Sequence, residues 1–99
     1  MRLRFIIAVD FEPNVNYLYV IWKEFNFIPI EGMEFQLCGM DEGLVAVAVK
    51  FLEADPAEAR MESYWQVDLR DCLGNQFRTW EPTKEQQAML AAAGWERQN

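Results

Sequence analysis

Histidine is absent from the chain. Without an imidazole there is no Ser-His-Asp or Cys-His triad, and no metal site that depends on histidine ligands. Serine is nearly absent as well, since Ser63 is the one example. It does not lie in a GxSxG motif, the sequence of the strand–turn–helix that presents a nucleophilic serine. We therefore expect the Ser63 hydroxyl to be solvated or hydrogen-bonded on a strand rather than to act as a nucleophile.

The sequence also has no glycine-rich phosphate loop and no zinc-type spacing of cysteines. Neither GxGxxG nor GxxxxGK[ST] occurs. The two cysteines, Cys38 and Cys72, cannot make a zinc site by themselves. The DEG segment at 41–43 lacks the regular acidic spacing and the closing glutamate of a calcium loop. We expect neither a cofactor nor a metal.

No apolar run approaches the length of a membrane span, which takes about 18 residues or more. The start of the chain is not typical of a signal peptide, because its apolar run covers only Phe5 to Val9 and Asp10 interrupts it. We expect a cytoplasmic protein in which both cysteines are reduced and buried.

Acidic residues outnumber basic ones by 16 to 9, and the formal net charge is −7. Such a charge repels nucleic acid and anionic membranes and attracts basic protein surfaces. Apolar residues make up 52% of the chain, which is far from a disordered composition. A chain of 99 residues is expected to form a single domain, 1–99.

Period-two alternation of apolar residues predicts β-structure over most of the chain. The predicted strands are 2–11, 17–27, 33–37, 44–52, 61–71 and 76–80. A helix is predicted from Thr83, with a Thr83–Gln86 capping box and Gly94 just past its end. A short helical turn is predicted at 55–58, capped by Asp55. We expect an α+β fold, an antiparallel meander of five or six strands, strongly bent or barrel-like, with one C-terminal helix.

The segment 17–28 is apolar on both of its faces, and one short helix cannot cover both faces of a six-stranded sheet. We therefore expect sheet curvature to cover part of this surface, and a homodimer interface to use some of the remainder. The core predicted from strand alternation is Phe5, Ile7, Val9, Val20, Phe35, Val47, Val67 and Leu69.

Acidic side chains fall in the loops and strand ends in the middle of the chain, and the large rings are too many for one small core. Acidic patches complement basic surfaces, and aromatic residues anchor protein interfaces. Ordinary solubilising charge and rings that complete the core are the alternative interpretations. The candidate partner-binding residues are Asp41, Glu42, Glu53, Asp55, Glu58, Glu62, Tyr64 and Trp22.

A short, acidic, histidine-free, β-rich chain without a catalytic motif is similar to small phage or mobile-element inhibitors such as anti-CRISPRs. The similarity is one of size and composition, and it implies a non-enzymatic inhibitor that docks on a basic surface of a nucleic-acid-handling complex. Three alternatives stay open. They are a toxin-blocking immunity protein, a homo-oligomeric small-ligand-binding protein with an aromatic-lined pocket, and an enzyme with paired carboxylates, Asp68 with Asp71 or Glu31 with Glu34.

Overall fold

The computed structural model describes residues 1–12, 15–39, 43–71 and 84–98, and at 8–12, 15–17 and 86 it describes the backbone without the side chain. In these ranges the chain forms six strands, a 3-10 helix at Pro56–Glu58 and the helix α1 at Lys84–Ala92. The strands are β1 (Arg2–Glu12), β2 (Val15–Glu24), β3 (Glu34–Phe35), β4 (Leu44–Leu52), β5 (Tyr64–Asp71) and β6 (Glu96–Gln98).

The strands described lie in one sheet, in the order β3-β4-β5-β1-β2-β6. β1 and β2 are antiparallel, and β1 and β5 are parallel, with Ile6 opposite Val20 on one side and Asp68 on the other. The sheet is therefore mixed, and the expected antiparallel meander is wrong at its centre. The expected barrel is not formed either, because the strand order ends on two edges, β3 and β6. Alternation along a strand reports which face is buried but not the direction of the neighbouring strand.

The strand predictions hold best where alternation is longest. β4 has the predicted bounds, and β1, β2 and β5 lie largely within theirs. The third strand is shorter than predicted, and it lies between a turn at 31–32, where Gly32 has φ +87°, and a turn at 38–39. β6 was not predicted, because its ERQ sequence carries no apolar alternation. The predicted strand 76–80 lies outside the described residues.

The core lies on one face of the sheet, where the alternate residues Leu3, Phe5 and Ile7 of β1 are fully buried. The other large members are Tyr19, Ile21, Phe35, Leu37, Leu44, Val67, Leu69, Leu90 and Trp95. Val20 is buried on the opposite face, across from Ile6. Val47 is only partly buried, contrary to prediction, because Leu44 and Ala46 are the residues of β4 that face the core, and alternation puts Val47 on the opposite face. The Val9 side chain lies outside the described residues.

The C-terminus of α1 is capped by Gly94, as the sequence predicts. Gly94 has φ +99° and donates its N–H to the Ala91 carbonyl, while Trp95 donates to the Leu90 carbonyl, which is a Schellman motif. The Leu90 and Trp95 side chains are buried. The proposed capping box lies outside the described side chains, because Thr83 and Gln86 are not among them.

Cys38 is exposed, so the expectation that both cysteines are buried is wrong for this residue. It lies in a turn at 38–39, where its backbone carbonyl accepts a hydrogen bond from the Trp95 indole at 2.9 Å. The turn needs the Cys38 backbone rather than its side chain, which leaves the thiol at the surface. Cys72 lies outside the described residues.

Candidate protein-binding hollow

The face of β1 opposite the core carries its basic residues. Arg2 and Arg4 alternate with the buried Leu3 and Phe5, and successive side chains of a strand point to opposite faces. Arg4 lies between Trp22 of β2 and Gln66 of β5 in the sheet register. The alternation that buries the core of β1 therefore also sets two guanidinium groups beside a tryptophan.

The connection between β4 and β5, residues 53–63, is a compact structure that we call the capped turn. The Asp55 carboxylate accepts a hydrogen bond from the Ala57 N–H at 3.1 Å, and Pro56 begins the 3-10 helix. Ala59 has a left-handed conformation at φ 59°. Asp55 and Arg60 then exchange backbone hydrogen bonds of 2.7 and 3.0 Å. The helical turn and the Asp55 cap predicted from the sequence are confirmed.

Two side-chain bonds close the ends of the capped turn. The Arg60 Nε donates to the Glu53 carbonyl at 2.7 Å. The Ala54 N–H donates to the Ser63 hydroxyl at 2.9 Å, so Ser63 has the hydrogen-bonded role expected of it. These bonds shape the segment that carries most of the candidate acidic residues.

The capped turn and the ends of β1, β2 and β5 line a hollow of about 470 Å³ that is open to solvent. We call it the Trp22 hollow, and its lining is Arg2, Trp22, Glu58, Ala59, Arg60, Met61, Glu62 and Tyr64. Four of the predicted partner-binding residues, two rings and two carboxylates, are thus brought together. Glu53 and Asp55 belong to the capped turn without lining the hollow, and Asp41 and Glu42 lie outside the described residues.

Trp22 is held from two sides. Its ring meets Tyr64 edge to face, with 4.8 Å between centroids and 78° between planes. The Arg2 guanidinium carbon lies 4.4 Å from the Trp22 ring centroid, within the range of a cation–π contact. An Arg2 Nη also pairs with the Glu62 carboxylate. One side chain therefore links the ring to the capped turn.

Arg4 is held differently from Arg2. Its guanidinium carbon lies 5.9 Å from the Trp22 centroid. Its two Nη atoms donate to the amide oxygens of Gln66, at 3.3 Å, and Gln98, at 3.1 Å. The Arg4 Nε is enclosed, with no hydrogen-bond partner among the described residues. Arg4 is thus a fixed part of the sheet surface.

The charge of the hollow differs from that of the acidic and aromatic surface that the sequence predicted. Arg2 and Arg60 lie in the lining together with Glu58 and Glu62, so the two signs are balanced there. Sequence reasoning missed both arginines and Met61. The alternation of Arg2 with Leu3 signals an outward guanidinium, but its approach to Glu62 depends on the parallel pairing of β1 with β5.

A second concave region lies further along the same face, with a volume of about 580 Å³. Its lining is mainly apolar and includes Ile6, Leu18 and Val47, with Asp68 and Arg70 as its charged members. Burial raises the pKa of the Asp68 carboxyl, and the positive charges of Arg4, Arg70 and Lys50 oppose this rise.

Of the two carboxylate pairs named as possible acid–base partners, Asp68 and Asp71 do not face each other. Asp68 and Asp71 are three residues apart on β5, and this odd spacing puts them on opposite faces of the strand. Glu31 and Glu34 are both exposed. Within the described ranges, no three acidic or cysteine side chains group as metal ligands, and no helix has the length and hydropathy to cross a bilayer.

Comparison with models of known protein families, with curated proteins and with solved structures found no match to this chain. The contacts of the Trp22 hollow are therefore the basis for assigning a function. The hollow brings together two aromatic rings, the exposed thioether of Met61 and charges of both signs.

Proposed function

We propose that the protein is a non-enzymatic inhibitor that binds a partner protein through the Trp22 hollow, on a basic surface of a nucleic-acid-handling complex. The observation that carries this proposal is the convergence of Trp22, Tyr64 and the two carboxylates of Glu58 and Glu62 in one hollow. Trp22 comes from β2 and the other three from the capped turn and β5, so the fold unites residues that are far apart in sequence.

The aromatic part of the hollow is suited to anchoring a partner. Trp22 is 38% exposed, and tryptophan and tyrosine are enriched among the residues that dominate binding energy at interfaces. Tyr64 already holds the Trp22 ring in an edge-to-face contact, so little side-chain entropy is lost when a partner covers it. The exposed Met61 adds an adaptable apolar contact at the same place.

Charge supports a basic partner. The net charge of −7 attracts a positive surface over long range and speeds encounter with it. Surfaces that bind nucleic acid are positive because they neutralise phosphates. A protein that presents carboxylates beside aromatic anchors can cover such a surface and exclude the nucleic acid.

Charge reversal tests the acidic part of the proposal. The test variant combines Glu53→Lys, Glu58→Lys and Glu62→Lys, and leaves Asp55 unchanged because its carboxylate caps the 3-10 helix. The reversed charges should repel a basic partner, a penalty of several kcal/mol when like charges meet. The association rate and the dissociation constant are measured with the partner purified after capture from host lysate, at low and high salt.

The matched control reverses three exposed acids outside the hollow, Glu31→Lys, Glu34→Lys and Glu96→Lys. It changes the net charge by the same amount, so it separates the local contact from overall attraction. Wild type should bind more slowly as salt rises, because steering is screened beyond about 8 Å at physiological ionic strength. Equal binding of both triple variants at each salt concentration would contradict an acidic contact in the hollow.

The aromatic contact is tested by a pair of ring deletions. Trp22→Ala should weaken partner binding by roughly 2 kcal/mol or more if Trp22 is an anchor. Phe51→Ala is the control, because Phe51 is 51% exposed and packs against Trp65, which faces the core side of the sheet. Circular dichroism establishes that both variants are folded. An unchanged dissociation constant for Trp22→Ala would refute the anchor.

A small-ligand-binding protein is the second candidate, and the size of the hollow favours it. Ligand sites commonly measure about 300–1,000 Å³ and are lined by aromatic side chains, and the Trp22 hollow measures about 470 Å³ with two rings in its lining. A thermal-shift screen distinguishes the two. A compound that stabilises wild type but not Trp22→Ala would favour a ligand site over a protein interface.

A further inference from the structure

We propose that the Trp22 hollow is a guanidinium-binding site. In the free protein Arg2 occupies this site, and an arginine of the partner displaces it on binding. This inference rests on the proposed function, and it adds the chemistry of the partner group that enters the hollow. The occupant is an arginine side chain exposed on a basic protein surface.

The contacts of Arg2 are those by which proteins recognise a guanidinium group. Its guanidinium carbon lies 4.4 Å from the Trp22 ring centroid, and an Nη pairs with the Glu62 carboxylate. A ring face below and a carboxylate at the edge match the planar, forked shape of the group. A lysine ammonium has neither the planar stacking surface nor the fork.

Arg2 is held loosely enough to be exchanged. Its side chain is 41% exposed and that of Glu62 is 63% exposed, and exposed ion pairs contribute little to stability. Arg4 differs, since two glutamine oxygens bind it and its Nε is enclosed. The Arg2 side chain can therefore swing away into solvent while β1 and Arg4 stay in place.

Displacement of Arg2 leaves a hollow suited to a new cation. Arg60 is then the remaining positive side chain of the lining, against the carboxylates of Glu58 and Glu62. The Trp22 ring stays in place through its edge-to-face contact with Tyr64. An arginine from a partner restores the balance of charge and the cation–π contact together.

Removal of the internal competitor tests the site directly. Arg2→Gln should bind N-acetyl-arginine amide about fivefold to tenfold more tightly than wild type, the advantage that one weak surface ion pair and one cation–π contact give Arg2. N-acetyl-lysine amide should bind more weakly than the arginine probe to the same variant. Titrations followed by the NMR signal of the Trp22 indole give the dissociation constants.

Two further variants serve as controls. Arg70→Gln removes one positive charge from an exposed residue outside the Trp22 hollow, so it should leave the affinity at the wild-type value. Trp22→Leu combined with Arg2→Gln removes the ring and should abolish binding of the probe. Because this variant has no Trp22 indole, binding is followed by the NMR signals of the β5 backbone amides.

The proposal is overturned if Arg2→Gln and Arg70→Gln bind the arginine probe equally, if arginine and lysine probes bind equally, or if none of the proteins binds. The probe involves no partner protein, so these outcomes leave the charge-reversal test of the proposed function unaffected. Conversely, probe binding with no loss of partner binding in the charge-reversal variant would refute the proposed docking and support the guanidinium site.

Discussion

Among the described residues, Asp68 has a carboxyl group whose pKa is raised by its surroundings. It lies on β5 between Ile6 of β1 and Ala48 of β4, with Leu18 and Val47 in the same concave region. Burial favours the neutral carboxyl and raises its pKa, and the nearby Arg4, Arg70 and Lys50 reduce this effect without cancelling it. The folded protein therefore binds this proton more tightly than the unfolded chain does.

This pKa predicts how Asp68 affects stability with pH. Because the folded pKa lies above the unfolded one, the free energy of unfolding falls as pH rises through the window between the two values. Asp68→Asn removes this loss, so the variant should be more stable than wild type at neutral pH. Its advantage should shrink as pH falls to the ordinary range of an aspartate. Urea unfolding of both proteins over this range measures the difference, and a pH-independent difference would contradict the prediction.

The turn at 38–39 positions α1 on the sheet. Gly39 has φ +87°, and a side chain there would meet Ala93 Cβ at 3.1 Å and Leu90 Cδ2 at 3.3 Å. Gly32 has the same φ, but nothing lies within 4 Å of where its Cβ would be. The two glycines therefore share a positive φ that would strain any residue with a Cβ, and they differ in the space around them.

Alanine substitutions at these two glycines measure how tightly the turn packs against α1. Gly32→Ala should destabilise the fold by roughly 1–2 kcal/mol through left-handed strain alone. Gly39→Ala should lower the free energy of unfolding by the same strain and by a further amount of about 1–3 kcal/mol, because the added methyl group crowds α1. Denaturant unfolding compares them. Equal losses would mean that α1 moves away from the turn without penalty.

Among the described residues, the loop after β2 carries a group of exposed apolar side chains. Tyr19, Val20 and Ile21 are buried, so the strand itself supplies less free surface than its sequence suggested. Ile28 and Ile30 are 54% and 61% exposed, on either side of the buried Pro29. These two isoleucines form an apolar patch that a second copy of the chain could cover.

A homodimer formed through this loop is the prediction. Light scattering at micromolar concentration should give twice the monomer mass for wild type, because two-fold pairing hides both copies of the patch. Ile28→Ser with Ile30→Ser should shift the protein to monomer, whereas Met89→Ser, at an exposed position on α1, should not. A wild-type monomer would show that the loop stays exposed in solution.

Local patterns were sufficient for the positions of most strands and for the core face. Phe5 and Ile7 are buried because alternate residues of a strand share a face, and Asp55 and Gly94 end up as caps because their preferences act over a few neighbouring residues. Such signals depend on contacts within one turn or one strand, so they can be read in the order of the residues.

Strand pairing and the candidate site depend on the tertiary structure. Backbone hydrogen bonds join strands without regard to residue type, so nothing in β1 or β5 alone specifies that they lie side by side and parallel. The polar β6 becomes a strand because the edge of β2 supplies its partners. Arg2 meets Glu62, and Trp22 meets Tyr64, only through this pairing. Composition predicted carboxylates and exposed rings, but long-range packing alone decides that they share a hollow with an arginine.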